Sequence, residues 1–262
     1  MNTVLKVLKY QMRDAVRSRW LLAYALFFML VTQGLLSFSG DAMKAQLSLV
    51  SVVLFLVPLV SIVFGTVYLY HSREFIELLL AQPVNRRQMY AGVYLGLTIP
   101  LTLAFVAGLS VPFLVHGVDA TAGNTIAALL TAGVVLTMIF TALATLIAMR
   151  CDDRLRGLGT AIGIWMLLTV VYDGFVLLIL AVFSNNALEH ATLAMMMANP
   201  IDLARVALLL RFDGAAMMGY TGAVFLDFFT GVQGGAIMIA ALGLWVFVPI
   251  ALSARAFQRK DF

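Results

Sequence analysis

The sequence predicts an all-α, polytopic membrane protein with six transmembrane helices, an N-terminal interfacial helix and an outer helical segment between spans five and six. Hydrophobic residues make up 63% of the 262 residues and charged residues only 11%, a balance that no water-soluble domain carries. Six apolar runs each have about the 20 residues that a helix needs to cross the hydrocarbon core. Basic residues gather at the ends of these runs that fall on one face.

The segment before the first span, VLKVLKYQMRDAVRSR, places apolar residues against Lys6, Lys9, Arg13 and Arg17. This pattern predicts an amphipathic helix lying in the cytoplasmic interface. A basic topogenic tail is the alternative interpretation. Both interpretations leave the N-terminus in the cytoplasm.

The six apolar runs set the predicted spans. They are far longer than the ten-residue alternating strands of an outer-membrane barrel, so helices are the expected element. The predicted spans are Trp20 to Phe38, Leu47 to Tyr70, Ala91 to Val115, Thr125 to Met149, Gly157 to Phe183 and Gln233 to Leu252.

The distribution of basic residues predicts the orientation. Six spans place both termini on one side, and all but three of the 17 lysines and arginines fall on that side. The three exceptions are Lys44, Arg205 and Arg211. By the positive-inside rule the basic side is cytoplasmic, which predicts a multi-pass protein of the inner (cytoplasmic) membrane with both termini in the cytoplasm.

The stretch from Ser184 to Gly231 carries too many charges for comfortable spans. We predict extracytoplasmic helices that dip into the outer interface or lie along it. The alternative is an extra pair of spans within residues 187–230, which would preserve the side of both termini. The interrupting residues are Pro200, Asp202, Arg205, Arg211, Asp213 and Asp227.

Within this outer segment, the motif NPIDLAR predicts a helix start. Asn199 can serve as the N-cap and Pro200 fits the first helical position. Asp202 then lies at the positive end of the helix dipole, and Arg205 can pair with it one turn later. The motif is therefore explained by structure without a ligand.

Asp173, in VVYDGF, is the one acidic residue well inside a predicted span. Counting about 1.5 Å per residue from Gly157 places it in the outer half of the membrane. An ionisable group at that depth is usually functional or faces water. The alternative is that it caps a break at Gly174. If Asp173 is functional, the chain could be an ion-coupled carrier or an intramembrane enzyme centred on it.

Groups for catalysis or metal binding are scarce in the sequence. It has no HExxH, GxSxG or Walker A motif, and no two histidines have helical metal-ligand spacing. Asp152 and Asp153 lie among three arginines, which favours a solvated turn with local ion pairs. The 14 methionines could suit Cu(I), but packing explains them better. We expect no catalytic residue and no metal site.

The connection between spans two and three, REFIELLLAQPVNRRQMYAG, is a charged exception in an apolar chain. Glu74 and Glu77 share one helical face, while leucines cover the other, which predicts a short interfacial helix. A lipid-anchored hairpin is an alternative, but acids are disfavoured at an anionic leaflet, so a protein partner with basic groups suits them better. Pro83 is expected to end the helix, before a polar turn of Asn85, Arg86 and Arg87.

Together with the six spans and the N-terminal and outer helices, the motif REFIELLLAQPVNRRQMYAGVYLG resembles the permease subunit of type-two ABC exporters. The resemblance covers essentially the whole chain. Within that class, NPIDLAR, the chain length and the ending ARAFQRKDF are similar to the NosY-type permease that serves maturation of nitrous oxide reductase.

The resemblance implies one ABC transporter transmembrane domain over residues 1–262 and a homodimer in the lipid bilayer, each copy seated on a cytoplasmic ABC ATPase. ATP and magnesium would bind to that ATPase, and no cofactor would bind to this chain. A periplasmic NosD-like protein would bind around residues 186–230, with copper or a sulfur compound as cargo and no role for nucleic acid. The implied ATPase-coupling residues are Arg73, Glu74, Glu77, Arg86 and Arg87.

A third possibility is a non-catalytic membrane anchor for a periplasmic assembly. Such an anchor would tolerate damage to the connection between spans two and three, whereas an ABC permease would not.

Overall fold

The computed structural model describes residues 12, 18–38, 42–80, 85–116, 120–182, 189–210 and 232–260. They form helices and connections, with no strand among them. Apart from Met12, Ser18 and Arg19, the segment predicted as an N-terminal interfacial helix lies outside these residues. The helices are α1 (Arg19–Phe38), α2 (Ala42–His71), α3 (Arg73–Leu80), α4 (Arg86–His116), α5 (Ala120–Arg150), α6 (Arg154–Met166), a π-helical turn (Leu167–Val171), α7 (Tyr172–Val182), α8 (Glu189–Met197), α9 (Pro200–Leu209) and α10 (Val232–Arg259).

Among the described residues, six helices are long and apolar enough to cross a membrane, which confirms the predicted all-α fold with six spans. They are α1, α2, α4, α5, the continuous helix from α6 through the π turn into α7, and α10, with mean hydropathies between 1.9 and 2.8. Most of them extend a few residues beyond the predicted spans, because helices continue through polar ends such as Arg86 and Arg150.

The core of the bundle lies where α4 and α5 meet α1, α2 and α10. The buried rings of Phe28 on α1 and Phe105 on α4 pack edge to face, with centroids 5.1 Å apart. At Gly108 a Cβ atom would lie 2.5 Å from the carbonyl oxygen of Ala25, so only glycine allows α4 to approach α1 this closely.

Buried hydroxyl groups connect α4 to its neighbours. Tyr94 donates to the carbonyl oxygen of Met138 on α5 at 2.9 Å, and the hydroxyls of Thr98 and Thr141 lie 3.0 Å apart. Tyr90 pairs with Ser253 on α10 at 2.6 Å. Such hydrogen bonds between apolar helices fix their register where hydrophobic packing alone would not.

Spans five and six are packed against other helices of this chain over only a small part of their surface. Large apolar side chains of α6, α7 and α10 remain exposed, including Ile162, Leu177, Ile239 and Phe247. In a membrane these surfaces contact lipid or another protein chain.

Helix ends rich in basic residues meet at one face of the bundle, here called the basic face. Tyr70, at the end of α2, donates a hydrogen bond of 2.7 Å to the carbonyl oxygen of Cys151, just after α5. Lys260, just after α10, donates to the carbonyl oxygen of Ala148 at 3.3 Å. The ends of spans two, four and six are therefore neighbours, as the six-span topology requires.

The described part of the outer segment is a pair of short helices, α8 and α9, here called the re-entrant hairpin. Their 9 and 10 residues correspond to about 15 Å each, too short to span a membrane. The amide of Asn199 contacts the carbonyl oxygen of Leu168, and the indole of Trp245 contacts that of Met197. Leu168 and Trp245 lie near the middle of spans five and six, so this pair dips between the spans and returns. Residues 183–188 and 211–231 lie outside the described part of the chain.

Candidate functional site

The short helix α3 follows α2 directly on the basic face. Its side chain Ile76 is buried at 1% exposure, and the Ile76 N–H donates to the carbonyl oxygen of Ser72 at 3.0 Å. On the other side Glu74 and Leu78 are exposed. Ile76 and the partly buried Leu79 therefore pack α3 against the bundle, while an acid and an apolar side chain face outward.

A charged network, here called the basic-face tie, connects α3 to two other helix ends. The Nε atom of Arg73 lies 3.0 Å from Oε1 of Glu77, and Nη2 lies 3.3 Å from Oδ1 of Asp152. The same Asp152 oxygen lies 3.0 Å from Nζ of Lys260. The hydrogen bond from Lys260 and its charge lower the pKa of Asp152. The tie joins α3, the connection from span four to span five, and the end of span six.

Arg86 and Arg87 lie in the first turn of α4, so the prediction of a polar turn at these two positions is wrong. Asn85 caps the helix, because its Oδ1 accepts the Arg87 N–H at 3.0 Å and satisfies a donor that the first turn leaves free. Arg86 Nη1 donates to the carbonyl oxygens of Gln258 and Lys260 at 2.9 and 3.0 Å. The predicted stop at Pro83 lies outside the described residues.

The five predicted coupling residues therefore fall into two groups: those that bind other parts of this chain and those that are exposed. Arg73 and Arg86 bind other parts of this chain, whereas Glu74 and Arg87 are exposed and Glu77 is shared with Arg73. Their contact with an ATPase stays a prediction. The partners of Arg73 in the tie were not predicted from the sequence. The acids of RCDD and the basic residues at the end of span six were the available signals, both on the predicted cytoplasmic side.

A second charged group lies at the re-entrant hairpin and is here called the carboxylate clasp: Asp173, Asp202 and Arg205. Nη1 of Arg205 lies 3.0 Å from Oδ2 of Asp173 and 3.0 Å from Oδ1 of Asp202. The local pair between Arg205 and Asp202 was predicted from spacing. The bond from Arg205 to Asp173 was not, and it fixes α9 to the start of α7.

Asn199 holds the hairpin tip to the spans as well as capping α9. Its Oδ1 accepts the Ile201 N–H at 3.1 Å, the cap expected from NPIDLAR, with Pro200 in the first turn. Its Nδ2 donates to the carbonyl oxygen of Leu168 at 2.7 Å and to Oδ2 of Asp202 at 3.0 Å. Leu168 belongs to the π-helical turn, an irregularity often found at functional sites.

The clasp borders a cavity of about 500 Å³ between α2, the π turn and α9. Asp173 and Arg205 line the cavity, and each is about one-third exposed, while Asp202 behind them is 5% exposed. The pKa of Asp202 is raised to about 6, chiefly by burial; the charge of Arg205 opposes this rise and the charge of Asp173 adds to it. The remaining wall is mostly apolar: Leu47, Val50, Ser51, Leu54, Phe55, Thr169, Val170 and Leu209.

Metal-ligating side chains are not gathered anywhere in the described residues: no three His, Cys, Asp or Glu side chains there are close enough to hold an ion. Of the outer methionines, Met196 and Met197 pack around Leu193 and Val206. Met217 and Met218 lie outside the described part of the chain. Packing therefore accounts for Met196 and Met197.

Six spans, with a short helix displayed at one face and a hairpin inserted from the other, define a multi-pass membrane protein. Comparison with known proteins gives the family. The profile of the family described as "ABC-2 family transporter protein" matches residues 5–262, and the chain belongs to that family as the permease subunit of an ABC transporter.

Two curated relatives are similar over nearly their whole length. The chain is 29% identical over 278 residues to the "Probable ABC transporter permease protein NosY" of Pseudomonas aeruginosa, covering 99% of each chain. It is 28% identical over 281 residues to the protein of the same name from Stutzerimonas stutzeri, again covering 99% of each.

Proposed function

We propose that a separate cytoplasmic ATPase binds α3 and drives the spans through the basic-face tie. Family membership implies an ATPase partner. The observation that carries the coupling role is the chain of contacts from Arg73 through Asp152 to Lys260. A displacement of α3 would be transmitted to the start of span five and the end of span six, while α2 moves with α3 because only Ser72 separates them.

The contacts to the ATPase are expected from the exposed side of α3. Glu74 offers a carboxylate and Leu78 an apolar surface, a combination suited to a cleft that has a basic rim. Arg73 positions α3 from the other side through Asp152. Arg87, exposed in the first turn of α4, extends the surface.

The coupling proposal is tested by co-purification of this chain with a co-expressed cytoplasmic ABC ATPase. Glu74→Lys is expected to reduce ATPase recovery and permease-dependent ATP hydrolysis about tenfold or more, because a central interface charge is reversed. Arg154→Glu is the matched control, since it reverses an exposed charge on the same face but outside α3. Undiminished assembly and hydrolysis with Glu74→Lys would contradict the proposal.

We also propose that the working unit is a dimer in which a second copy covers part of the exposed apolar surface of α6 and α7. Support comes from the large side chains left uncovered there, such as Ile162 and Leu177. The test is disulfide formation by Ile162→Cys in a Cys151→Ser background. Cross-linking at Leu22→Cys on α1 instead would place the interface elsewhere.

The narrower function proposed is copper-site maturation of nitrous oxide reductase, in which the permease acts on a periplasmic NosD-like partner or exports copper or a sulfur compound. The NosY name of both relatives supports it. Cells lacking this gene should yield nitrous oxide reductase with less bound copper, measured by elemental mass spectrometry, and the gene should restore it. A full copper complement without the gene would exclude this function.

The second candidate is an ion-coupled carrier or intramembrane enzyme centred on Asp173, favoured by the cavity that Asp173 and Arg205 line. In that case Asp173→Asn abolishes activity and Glu74→Lys leaves it intact. The coupled permease predicts loss of ATP-dependent activity with Glu74→Lys. The two variants in one assay separate the candidates.

A further inference from the structure

We propose that Asp173 and Asp202 share one proton beside Arg205, so that the carboxylate clasp is a proton-binding site fastening the re-entrant hairpin to span five. This role goes beyond the coupling proposal and uses none of the residues of α3 or the basic-face tie. Its ligand is the proton itself, held between two carboxyl groups from different elements.

The geometry brings two carboxylates onto one nitrogen. Oδ2 of Asp173 and Oδ1 of Asp202 each lie 3.0 Å from Nη1 of Arg205, so these oxygens can be no more than twice that distance apart. The two carboxyl groups are also near enough for a hydrogen bond between them. Carboxylates in such a pair disfavour double ionisation, and one proton between them removes the repulsion.

The hydrogen bonds show where the proton fits. Arg205 donates a well-aligned hydrogen bond to Asp173, but its contact with Oδ1 of Asp202 is an ion pair without hydrogen-bond geometry. The other Asp202 oxygen accepts from Asn199. A proton on Oδ1 therefore breaks no existing hydrogen bond, and the resulting hydroxyl can donate to the Asp173 carboxylate.

The charge of the clasp favours the same state. Two carboxylates and one guanidinium leave one net negative charge around a side chain that is only 5% exposed, which is costly in a low-dielectric site. A single proton makes the clasp neutral. Around α9, Tyr172 donates to the carbonyl oxygen of Met195. On the described parts of the elements packed against α9, the other charged or titratable groups lie at or near helix ends: Lys44, Tyr68, Tyr70, His71, Arg150, Glu189, His190, Arg255 and Arg259.

The cavity gives the proton a route. Asp173 lines it and is 34% exposed, so water there can exchange a proton with Asp173 and, through it, with Asp202. The hairpin need not open for this exchange. The raised pKa of Asp202 agrees with the geometry, since burial favours its neutral form.

Difference infrared spectroscopy of the purified full-length chain tests the site directly. A neutral carboxyl has a C=O stretch that ionised carboxylates and histidines lack. Lowering the pH from about 8 to about 5 should produce one such band with a midpoint near 6, where an ordinary exposed aspartate stays ionised. Absence of this band from the wild-type protein would overturn the proposal.

Variants assign the band. Asp202→Asn should remove it, whereas Asp153→Asn, at an exposed cap on the basic face, should retain it with an unchanged midpoint. Asp173→Asn should lower the midpoint by about one pH unit or more, because the neighbouring charge is gone. A band that survives Asp202→Asn belongs to another carboxyl and refutes the assignment. Should Asp202→Asn fail to fold, an unshifted midpoint in Asp173→Asn would refute it equally.

Discussion

Asn199 shows how much of the hairpin's position depends on a single side chain. Its amide caps α9, reaches the π-helical turn at Leu168 and binds Asp202, so its oxygen and its nitrogen are both used. Asparagine suits this position because it offers an acceptor and two donors on one short side chain. Aspartate would cap the helix but could not donate to Leu168.

Asn199→Ala should therefore lower the thermal stability of the purified protein. Loss of the cap and of two buried hydrogen bonds is expected to cost on the order of 2 kcal/mol or more, which lowers the melting temperature by several degrees. Asn124→Ala, an exposed asparagine on α5, is the control and should change little. Equal melting temperatures for the two variants would contradict the anchoring role of Asn199.

The raised pKa of Asp202 predicts that the folded protein becomes more stable as the pH falls. Its pKa is about 6 in the folded protein and near the ordinary 3.8 in the unfolded chain, so the folded state takes up its proton first. Stability should rise as the pH falls from about 7 towards 4, by on the order of 2 kcal/mol after allowance for solvent in the cavity.

Thermal unfolding at several pH values checks this dependence. Asp202→Asn should flatten the rise between pH 7 and 4. Asp152→Asn should not, because the lowered pKa of Asp152 confines its own effect to a loss of stability below its ordinary pKa. A slope that is unchanged by Asp202→Asn would show that another group titrates.

At the scale of helices, glycines decide which spans approach closely. The carbonyl oxygen of Ala25 on α1 occupies the space that a side chain at Gly108 would need, whereas nothing lies within 4 Å of a Cβ atom at Gly243 on α10. The same substitution should thus have opposite effects on two apolar helices.

Gly108→Ala is expected to destabilise the protein by about 1–3 kcal/mol, since backbone must move to admit the methyl group. Gly243→Ala should be neutral or stabilising by up to about 1 kcal/mol, because alanine is the better helix former. Thermal unfolding of both variants measures the difference. If Gly108→Ala did not destabilise the protein and Gly243→Ala did, the close contact of α1 and α4 at Gly108 would be contradicted.

Helices were predictable from the sequence because their causes are local. The apolar lengths gave six spans, and the order Asn199, Pro200, Asp202 gave the start of α9. The partners of the charged groups could not be predicted in the same way. Arg205 pairs with Asp173 on another helix, and Lys260 pairs with Asp152 across the bundle. Those choices depend on tertiary packing. The polar turn predicted at Arg86 was wrong because the helix begins before the apolar run, with Asn85 as its N-cap.

For the whole molecule, the basic face defines an orientation that can be measured. The one cysteine, Cys151, lies on this face at the connection between α5 and α6 and is partly exposed. Topology from charge predicts that this face is cytoplasmic.

A membrane-impermeant thiol reagent should label Cys151 in inside-out membrane vesicles but not in intact spheroplasts. Cys151→Ser provides the blank. Labelling in spheroplasts but not in inside-out vesicles would reverse the orientation and place both α3 and the C-terminus outside the cytoplasm.

The hydrogen bonds from Arg86 to the end of α10 affect how this protein can be engineered. Arg86 holds the carbonyl oxygens of Gln258 and Lys260, at the end of the last span. A domain joined to Lys260 through a connection of two or three residues would begin within about 10 Å of this contact, on the face that displays α3. A bulky reporter there would compete with the ATPase for space, whereas the ATPase joined through a flexible linker would be delivered beside its proposed binding surface at high effective concentration.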